Sequence, residues 1–409
     1  MKILLINQTF HPDVVATSQQ LTGFAEDLVL RGHAVSVLTG AHGYDDPHET
    51  YASYEKYRGV KIHRISYFSF GKKNKFTRFL DFTSFNLILF VRLLFFSKQD
   101  VVVGLTSPPL VSVLGNIFCK LKGGKFVYWV MDLNPDEAIA AGWLKEKSIL
   151  GRILKSLSRW SFKNSDTIVA LDPYMREKIE TRYGVDPKKI QVIPPWAHET
   201  RVEPLDHAIN PFRKAQGLNA QFVVMYSGNH SPCHPLTTLL EATLICRNDP
   251  QIVFYFIGGG SRVREVSDFK ERHQLNNVVQ LNYQPLEKLS ESLSAADLHV
   301  TVMGNEFVGI VHPCKIYNIL SVGRPFVFIG PSASSMGELV KNEGIGFQVE
   351  HGYVHGLINV IEKVKMLSDD EKNTLTQKSV SLKDRAFSRK KLSTELAEFL
   401  EKTDSLATR

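Results

Sequence analysis

The stretch that decides the fold is Met303–Pro325, MGNEFVGIVHPCKIYNILSVGRP. An apolar run rich in β-branched residues, AADLHVTVM, leads into it and predicts a strand. Its second half has the spacing of a helix that begins at Lys315 and ends at Gly323-Arg324-Pro325. The loop between them therefore lies at the carboxyl end of a strand and leads into a helix N-terminus. Anionic ligands bind at such loops in α/β proteins, because free main-chain N–H groups and the helix dipole both point there.

Two residues of this loop favour a phosphate ligand. Gly309 allows the main chain to approach a ligand closely. Lys315 falls in the first helical turn, where the helix dipole disfavours a cation. A bound, doubly charged anion explains a lysine at this position. The alternative is that the Lys315 side chain simply points to solvent.

The composition indicates an ordinary packed protein of two or three domains. The chain has 409 residues, of which 43% are hydrophobic, and a formal net charge of +7. This mild excess of positive charge suits a phosphorylated ligand or an anionic membrane surface, but no clustered basic helix indicates nucleic acid. The four cysteines lack the spacing of a disulfide framework, and the N-terminus lacks the features of a signal peptide. We therefore expect a cytoplasmic protein.

Strand and helix patterns alternate along the whole chain. Lys2–Gln8 predicts a strand, residues 17–31 a helix capped by Thr17 or Ser18, and Ala34–Leu38 a second strand. This βαβ unit implies a parallel sheet. The first turn, QTFHPDVVATS, lacks the glycine fingerprint of dinucleotide-binding proteins, which argues against a dehydrogenase. The alternation restarts after a proline-rich, polar stretch that begins at Pro194, so we predict two doubly wound domains.

Residues 79–96, FLDFTSFNLILFVRLLFF, form the most apolar segment of the chain. The segment approaches the ~20 residues needed to span a bilayer. Asp81 and Arg92 interrupt it, and the core strand DVVVGL follows at once, which argues against a span. It is either a buried helix or a helix with an exposed apolar face that docks on anionic lipid. The basic residues beside it are Lys72, Lys73, Lys75 and Arg78.

Polar loops follow the predicted strands in both halves. In the first half, Thr106-Ser107-Pro-Pro follows DVVVGL, and Asp132-Leu-Asn-Pro-Asp136 follows FVYWVM. Both loops should lie at the same edge of the sheet as the first turn of the chain, QTFHPDVVATS. An alternative role for Asp132 or Asp136 is that of an ordinary helix N-cap. In the second half, the turns that follow strands are Ser227-Gly228-Asn229-His230, Gly258-Gly259-Gly260-Ser261-Arg262 and Tyr283-Gln284-Pro285.

These motifs, in this order, resemble the retaining glycosyltransferases of family 4, which have the GT-B fold. The resemblance covers essentially the whole chain and is nearest to bacterial members that build exopolysaccharide, O-antigen or capsule. It implies two Rossmann-like domains that face each other across a cleft. The motifs that carry it are HPDVVATSQQL, RGHAVSV, TSPP, MDLNPD, IPPW, YSGN, FIGGGSR and EFVGIVHPCKIYNILSVGRP.

The resemblance also divides the chain. It implies an acceptor-binding domain over residues 1–200, a linker over 201–215 and a domain over 216–385 that binds a nucleotide-sugar donor. A C-terminal helix within 386–409 should pack back on the first domain. The implied catalytic residues are Glu306, Lys315 and Asp132, and Thr17, Ser18, Thr106 and Ser107 should lie on the acceptor side. The implied donor-binding residues are Gly228, Asn229, His234, Gly258, Gly259, Arg262, Gln284, Pro285, Gly309, Ile310 and Val311.

The chain departs from the family pattern in the donor site. The family usually has a second glutamate eight positions after the one that matches Glu306, and this carboxylate commonly holds the ribose. Cys314 occupies that position. Asn229 and His234 stand where the family often has an arginine and a lysine. Two cations for the diphosphate are thus missing, and we infer that Lys315 replaces them, with Arg262 or Arg264 as possible helpers.

The resemblance implies an enzyme that moves a sugar from a nucleotide-diphosphate sugar, with a UDP-sugar as the expected donor, to a lipid-linked or saccharide acceptor. No metal or cofactor is expected, because the Cys233-His234 and His312-x-Cys314 pairs lack the usual zinc spacings. We expect peripheral attachment to the inner face of the cytoplasmic membrane and no nucleic-acid partner. The alternatives are a GT-B-like sugar-nucleotide epimerase, a phosphorylase and a non-catalytic nucleotide-sugar binding protein. The donor sugar, the acceptor, the linkage and the oligomeric state do not follow from the sequence.

Overall fold

The chain folds into two compact α/β units. The computed structural model describes residues 1–43, 46, 48–70, 75–197 and 202–405. The first unit comprises Met1–Pro194, Gly309–His312 and Lys390–Arg409, and the second comprises Pro195–Val308 and Pro313–Arg389. Each contains one sheet, and helices lie in most of the connections between successive strands. The predicted class of two doubly wound α/β bodies is confirmed.

The first unit contains an eight-stranded sheet in the order β3-β4-β2-β1-β5-β6-β7-β8. Its pairings are parallel except for the antiparallel pair β3–β4. The strands are β1 (Lys2–Ile6), β2 (Ala34–Gly40), β3 (Tyr54–Tyr57), β4 (Val60–Ile65), β5 (Val101–Gly104), β6 (Lys125–Trp129), β7 (Thr167–Ala170) and β8 (Ile190–Val192). The helices are α1 (Ala16–Leu30), α2 (Lys75–Phe95), α3 (Val111–Lys122), α4 (Asp136–Ala140), α5 (Ile149–Asn164) and α6 (Pro173–Tyr183).

The second unit contains a six-stranded parallel sheet in the order β11-β10-β9-β12-β13-β14. Its elements are α7 (Pro211–Ala215), β9 (Phe222–Ser227), α8 (Thr237–Ile245), β10 (Ile252–Ile257), α9 (Val263–His273), β11 (Val278–Leu281), α10 (Leu289–Ser294), β12 (Leu298–Val302), α11 (Lys315–Val322), β13 (Phe326–Ile329), α12 (Ser335–Glu343), β14 (Phe347–Val349), α13 (Val354–Lys365) and α14 (Asp369–Ala386). The last helix of the chain is α15 (Arg389–Ser405).

The central strands are apolar on both faces because helices cover both sides of a parallel sheet. In β1, Ile3, Leu4, Leu5 and Ile6 are fully buried. In the second unit, β12 is buried along its whole length, and β10 is buried apart from Val253. Strands of this kind appear in the sequence as continuous apolar runs rather than alternating ones. Most of them could therefore be predicted from the sequence.

The predicted N-cap of α1 and the alternative N-cap role of Asp132 or Asp136 are both wrong. The N-cap of α1 is Val15, without a side-chain cap, whereas Thr17 and Ser18 lie inside the helix. The Ser18 hydroxyl donates instead to the Asp13 carbonyl at 2.9 Å. The N-cap of α4 is Pro135, so neither Asp132 nor Asp136 caps it. The Asp136 carboxylate accepts hydrogen bonds from Arg182 and Tyr183.

The apolar segment forms α2, which buries one face and exposes the other. Phe85, Leu89 and Leu93, spaced four residues apart, are buried, whereas Leu87 and Phe95 are 64% and 86% exposed. Among the described residues no helix has the length and the apolar character needed to cross a membrane. Lys72 and Lys73, and the side chains of Lys75 and Arg78, lie outside the described part of the chain.

The segment 201–215 and the C-terminal helix each pack within one unit. Residues 211–215 form α7, whose Phe212 is buried, so this end of the predicted linker belongs to the second unit. In α15, Leu396 and Leu400 are fully buried, and Glu401 forms an ion pair with Arg31 of the first unit at 2.8 Å.

Candidate functional site

The strand order of the second unit reverses between β9 and β12, which are neighbours in the sheet. From β9 the chain proceeds outward to β10 and β11, and from β12 it proceeds the other way to β13 and β14. Ligands of open α/β sheets bind beyond the carboxyl ends of the strands at such a reversal. The loop that follows β9 and the loop that follows β12 contain Gly228, Asn229, His234 and Glu306, four of the predicted site residues.

Lys315 occupies the first position of α11, and its side chain reaches back to the loop after β9. Its ammonium group donates to the Tyr226 hydroxyl and, at 3.2 Å, to the Asn229 carbonyl. The same Nζ atom lies 3.6 Å from the centroid of the Tyr226 ring. Burial holds the pKa of Lys315 well below its usual value. The alternative of a lysine that simply points to solvent is wrong.

Glycines bring the loops after β9 and β10 into close contact. A Cβ atom on Gly228 would lie 3.0 Å from Cε of Lys315, and one on Gly258 would lie 2.1 Å from the Gly228 carbonyl oxygen. The His230 amide donates to the Gly259 carbonyl at 2.7 Å, and Tyr283 packs against Gly258 and Gly259. The glycines leave main-chain groups accessible in a space that side chains would otherwise fill.

Glu306 lies in a short 3₁₀ turn after β12, with its side chain exposed. The neighbouring Gly304 fixes this turn, because its amide donates to the Cys233 carbonyl at 2.9 Å. A Cβ atom on Gly304 would lie 3.3 Å from both the Glu306 carboxylate and the ring of Pro235. The carboxylate therefore sits beside the loop that contains His234.

The remaining predicted residues of the second unit have other partners. Arg262, at the N-cap of α9, forms an ion pair with Glu265, so its charge is already compensated. Gln284 donates to the Asn282 carbonyl at 3.0 Å. Pro285 is exposed beside it, two residues from Tyr283.

Gly309, Ile310 and Val311 pack with the first unit, as does His312. Gly309 has a φ of +67°, and a Cβ atom there would lie 2.5 Å from the Tyr174 carbonyl oxygen. The Ile310 carbonyl accepts a hydrogen bond from the Leu133 amide at 2.8 Å. Nδ1 of His312 lies 2.8 Å from the Asp172 carboxylate, which also caps α6. No local sequence pattern indicated this buried histidine–aspartate pair.

In the first unit, the strand order reverses between β1 and β5, and polar residues line that edge. The Gln8 amide donates to the Ser107 carbonyl at 2.7 Å, and its side chain donates to the Tyr67 hydroxyl at 3.0 Å. The Asp132 amide donates to the Thr106 hydroxyl at 3.3 Å. The loops after β1, β5 and β6 therefore meet at one edge of the sheet.

Asp132 is the carboxylate at this edge. Burial, followed by the charge of Glu137, holds its pKa well above the usual value of an aspartate. Thr17 is partly exposed on α1, whereas Ser18 is fully buried. The acceptor-side role of Ser18 stays a prediction, and it would require the helix start to open. Thr106 is also almost fully buried, whereas Ser107 is only partly so.

Three further residues lie around the turn that Lys315 contacts and were not predicted as site residues, namely Tyr226, His230 and Tyr283. Tyr226 and His230 flank the predicted Gly228-Asn229 turn, and Tyr283 precedes Gln284. Their proximity in sequence to predicted residues was the available signal. Among the described residues, no group of three or more histidine, cysteine, aspartate or glutamate side chains is arranged to hold a metal ion.

Comparisons with known proteins fit this arrangement. The sequence model of Glycosyltransferase Family 4 matches residues 17–201. The probable glycosyltransferase WbjE of Pseudomonas aeruginosa is 24% identical over 271 residues, which are 65% of this chain and 66% of that protein. The putative colanic acid biosynthesis glycosyl transferase WcaI of Escherichia coli (strain K12) is 24% identical over 381 residues, 90% of this chain and 93% of that protein. The structure of Anabaena HepE in complex with UDP and glucose superposes with a TM-score of 0.74 at 17% identity, over 98% of this chain and 99% of that chain.

Proposed function

We propose that this chain, which belongs to glycosyltransferase family 4 and has the GT-B fold, transfers a hexose from a UDP-sugar to a saccharide or lipid-linked acceptor in surface-polysaccharide synthesis. In this proposal the second unit binds the donor and the first unit binds the acceptor. The observation that carries it is Lys315, which extends from the N-terminus of α11 to the Gly228-Asn229 turn at the switch point of the sheet. HepE was solved in complex with UDP and glucose, and WcaI is described as a putative colanic acid biosynthesis glycosyl transferase.

Charge compensation at the diphosphate is the central chemical requirement. The nucleoside diphosphate gains negative charge as the glycosidic bond breaks, so positive groups directed at the phosphates lower the barrier. Lys315 and the N-terminus of α11 provide positive potential at one place. A bound diphosphate would also restore the pKa that burial lowers in Lys315, because a nearby negative charge favours the ammonium form. The proposal assigns this compensation to protein groups rather than to a metal ion.

The two carboxyl groups have different proposed roles. Glu306 is exposed beside the His234 loop, where its oxygens can accept hydrogen bonds from hydroxyls of the donor sugar. Asp132, in the first unit, has a raised pKa, which suits a group that exchanges a proton with an acceptor hydroxyl near neutral pH. We therefore assign Glu306 to donor orientation and Asp132 to the acceptor.

Release of UDP tests the proposed function. The purified chain should release UDP from a UDP-hexose in the presence of a membrane-lipid extract that supplies acceptors, and a glycosylated product should appear in equal amount. UDP binding without turnover in every donor and acceptor combination would support a binding protein instead. Conversion of the UDP-sugar into its epimer, without UDP release, would indicate an epimerase.

A surface of the first unit fits peripheral attachment at the inner face of the cytoplasmic membrane. Leu94 of α2 and Leu121 and Lys122 of α3 line one apolar groove, and Leu121 is 67% exposed. Lys98 adjoins them, since its Cε would lie 3.3 Å from a Cβ atom on Gly123. We call this surface, together with exposed Leu87 and Phe95, the α2–α3 face. Apolar residues beside lysines are typical of surfaces that insert into an anionic leaflet.

Flotation with liposomes tests this face. Wild-type protein should float with phosphatidylglycerol liposomes and less with phosphatidylcholine alone. Replacing Lys98 and Lys122 with glutamine should weaken binding by about 30-fold, at about 1 kcal/mol for each lysine. Replacing Leu87, Phe95 and Leu121 with serine should abolish it, because the apolar insertion is lost.

The matched control uses a second exposed apolar cluster of the first unit. Ile149 and Ile153 on α5 are 80% and 51% exposed, and their replacement with serine should leave flotation unchanged. Release by these substitutions, with the α2–α3 face variants still bound, would place the membrane contact on α5. A wild-type protein that never floats would leave a water-soluble acceptor as the alternative.

A further inference from the structure

Two buried histidines lie beside Lys315 in the second unit. His230 is 1% exposed and His234 is 9% exposed. The His230 ring packs edge-on against Tyr226, the residue that accepts a hydrogen bond from Lys315. Within the part of the chain that the structure describes, Nε2 of His230 and Nδ1 of His234 are buried without a hydrogen-bond partner. A buried ring nitrogen without a partner is costly, so these two atoms need an explanation.

A main-chain contact determines which nitrogen of the His230 ring carries the proton. Nδ1 of His230 lies 3.1 Å from the Gly228 carbonyl oxygen, which can only accept. The free nitrogen of the neutral His230 ring, Nε2, is therefore an acceptor. A phosphate oxygen is also an acceptor, so this nitrogen can bond to a phosphate only after it gains a proton.

The surroundings keep both rings neutral while the site is empty. Burial, and then the charge of Lys315, lower the pKa of His230 to about 4 and hold the pKa of His234 well below its usual range. Other ionisable groups around them are Tyr226 on β9, Cys233 in the same loop, the Glu306 carboxylate, Tyr283, and Arg262 at the start of α9 with its partner Glu265. A diphosphate would reverse the balance, because it adds negative charge beside the rings.

We propose that His230 and His234 are proton-accepting ligands of the donor diphosphate, and that one proton is taken up on this pair when the nucleotide sugar binds. The inference rests on the proposed function and adds to it a cation that forms only in the complex. One proton is expected rather than two, because the rings are close enough to repel each other when both are charged. Donor affinity should therefore increase as the pH falls through the neutral range.

Calorimetric titration with UDP-glucose measures this directly. UDP-glucose is the suitable probe because both its phosphates are esterified, and its charge stays constant between pH 6 and pH 8. Titrations at pH 7.5 in buffers of different ionisation enthalpy should give an uptake of about one proton. Between pH 6.5 and pH 8, Kd should increase by up to about tenfold per pH unit, the limit for one linked proton.

Three variants locate the proton. The double variant His230→Asn, His234→Asn should lose the uptake and the dependence of Kd on pH. His234→Lys provides a permanent cation, so it should bind at pH 8 at least as tightly as the wild type and show reduced uptake. His355→Asn, at an exposed position of α13, is the control and should behave as the wild type. Thermal unfolding of each variant checks that the second unit is intact.

The outcomes separate the inference from the proposed function. Absence of binding at every pH, for glucose linked to any of the common nucleoside diphosphates, would contradict the proposed function. Binding without proton uptake would overturn only the present inference and would favour a sugar hydroxyl as the partner of the free nitrogens. Uptake that persists in the double variant but disappears in Lys315→Met would place the proton on Lys315 and also overturn it.

Discussion

Replacing Lys315 with methionine is expected to lower kcat/KM for sugar transfer by about 10²–10³-fold, the effect of removing one transition-state hydrogen-bond donor. Methionine preserves an apolar stem that can pack on Tyr226 and the Gly228 turn, but it removes the ammonium group. The loss should fall mainly on kcat, because the nucleoside diphosphate gains its additional charge only as the glycosidic bond breaks. Initial rates of UDP release over a range of donor concentrations provide both constants.

Lys341→Met is the matched control for charge. Lys341 is exposed on α12 of the same unit, so its replacement changes the net charge equally but leaves the site untouched. Its kcat/KM should remain within about twofold of the wild type, since exposed charges away from a site contribute little. Equal rates for Lys315→Met and Lys341→Met would exclude Lys315 from the reaction.

The position of Lys315 shows how far local sequence rules extend. The start of α11 at Lys315 was predicted from the helical spacing of the residues that follow it. Its end at Gly323, which has a φ of +63°, follows from a glycine C-cap and from a proline two residues later. The side-chain direction does not follow from such rules. Tyr226 and Asn229 are 89 and 86 residues away in sequence, and only the pairing of β9 with β12 brings them to the lysine.

The errors in the first unit have the same origin. Serine and aspartate near a helix start predict an N-cap because their side chains can satisfy free amides there. Ser18 is instead fully buried with the Asp13 carbonyl as its partner, and Asp136 meets Arg182 and Tyr183, 46 and 47 residues later. These partners outweigh the local preference. Buried strands are predicted more reliably, because an apolar run requires no particular partner.

The glycines of the second unit lead to the prediction of largest effect on stability. Gly258→Ala should lower the free energy of unfolding by about 2–6 kcal/mol, as the sum of main-chain strain and an internal clash. Gly258 has a φ of +132°, and an added Cβ atom would lie 2.1 Å from the Gly228 carbonyl oxygen. This oxygen belongs to the main chain, so it can move only if the turn that contacts Lys315 moves with it. Urea unfolding should show the loss, and UDP-glucose should bind at least about tenfold more weakly, equivalent to 1.4 kcal/mol.

Gly352→Ala separates the clash from the strain. Gly352 has a φ of +82°, and no heavy atom lies within 4 Å of the position of its Cβ atom. Alanine there should cost only about 1–2 kcal/mol, from the left-handed main-chain conformation alone. It should leave UDP-glucose binding unchanged, because the residue is exposed at the start of α13. If Gly258→Ala were no more destabilising than Gly352→Ala, the turns at Gly228 and Gly258 would not be in close contact. The turn at Gly258 would then not be what holds the Gly228 turn beside Lys315 and His230.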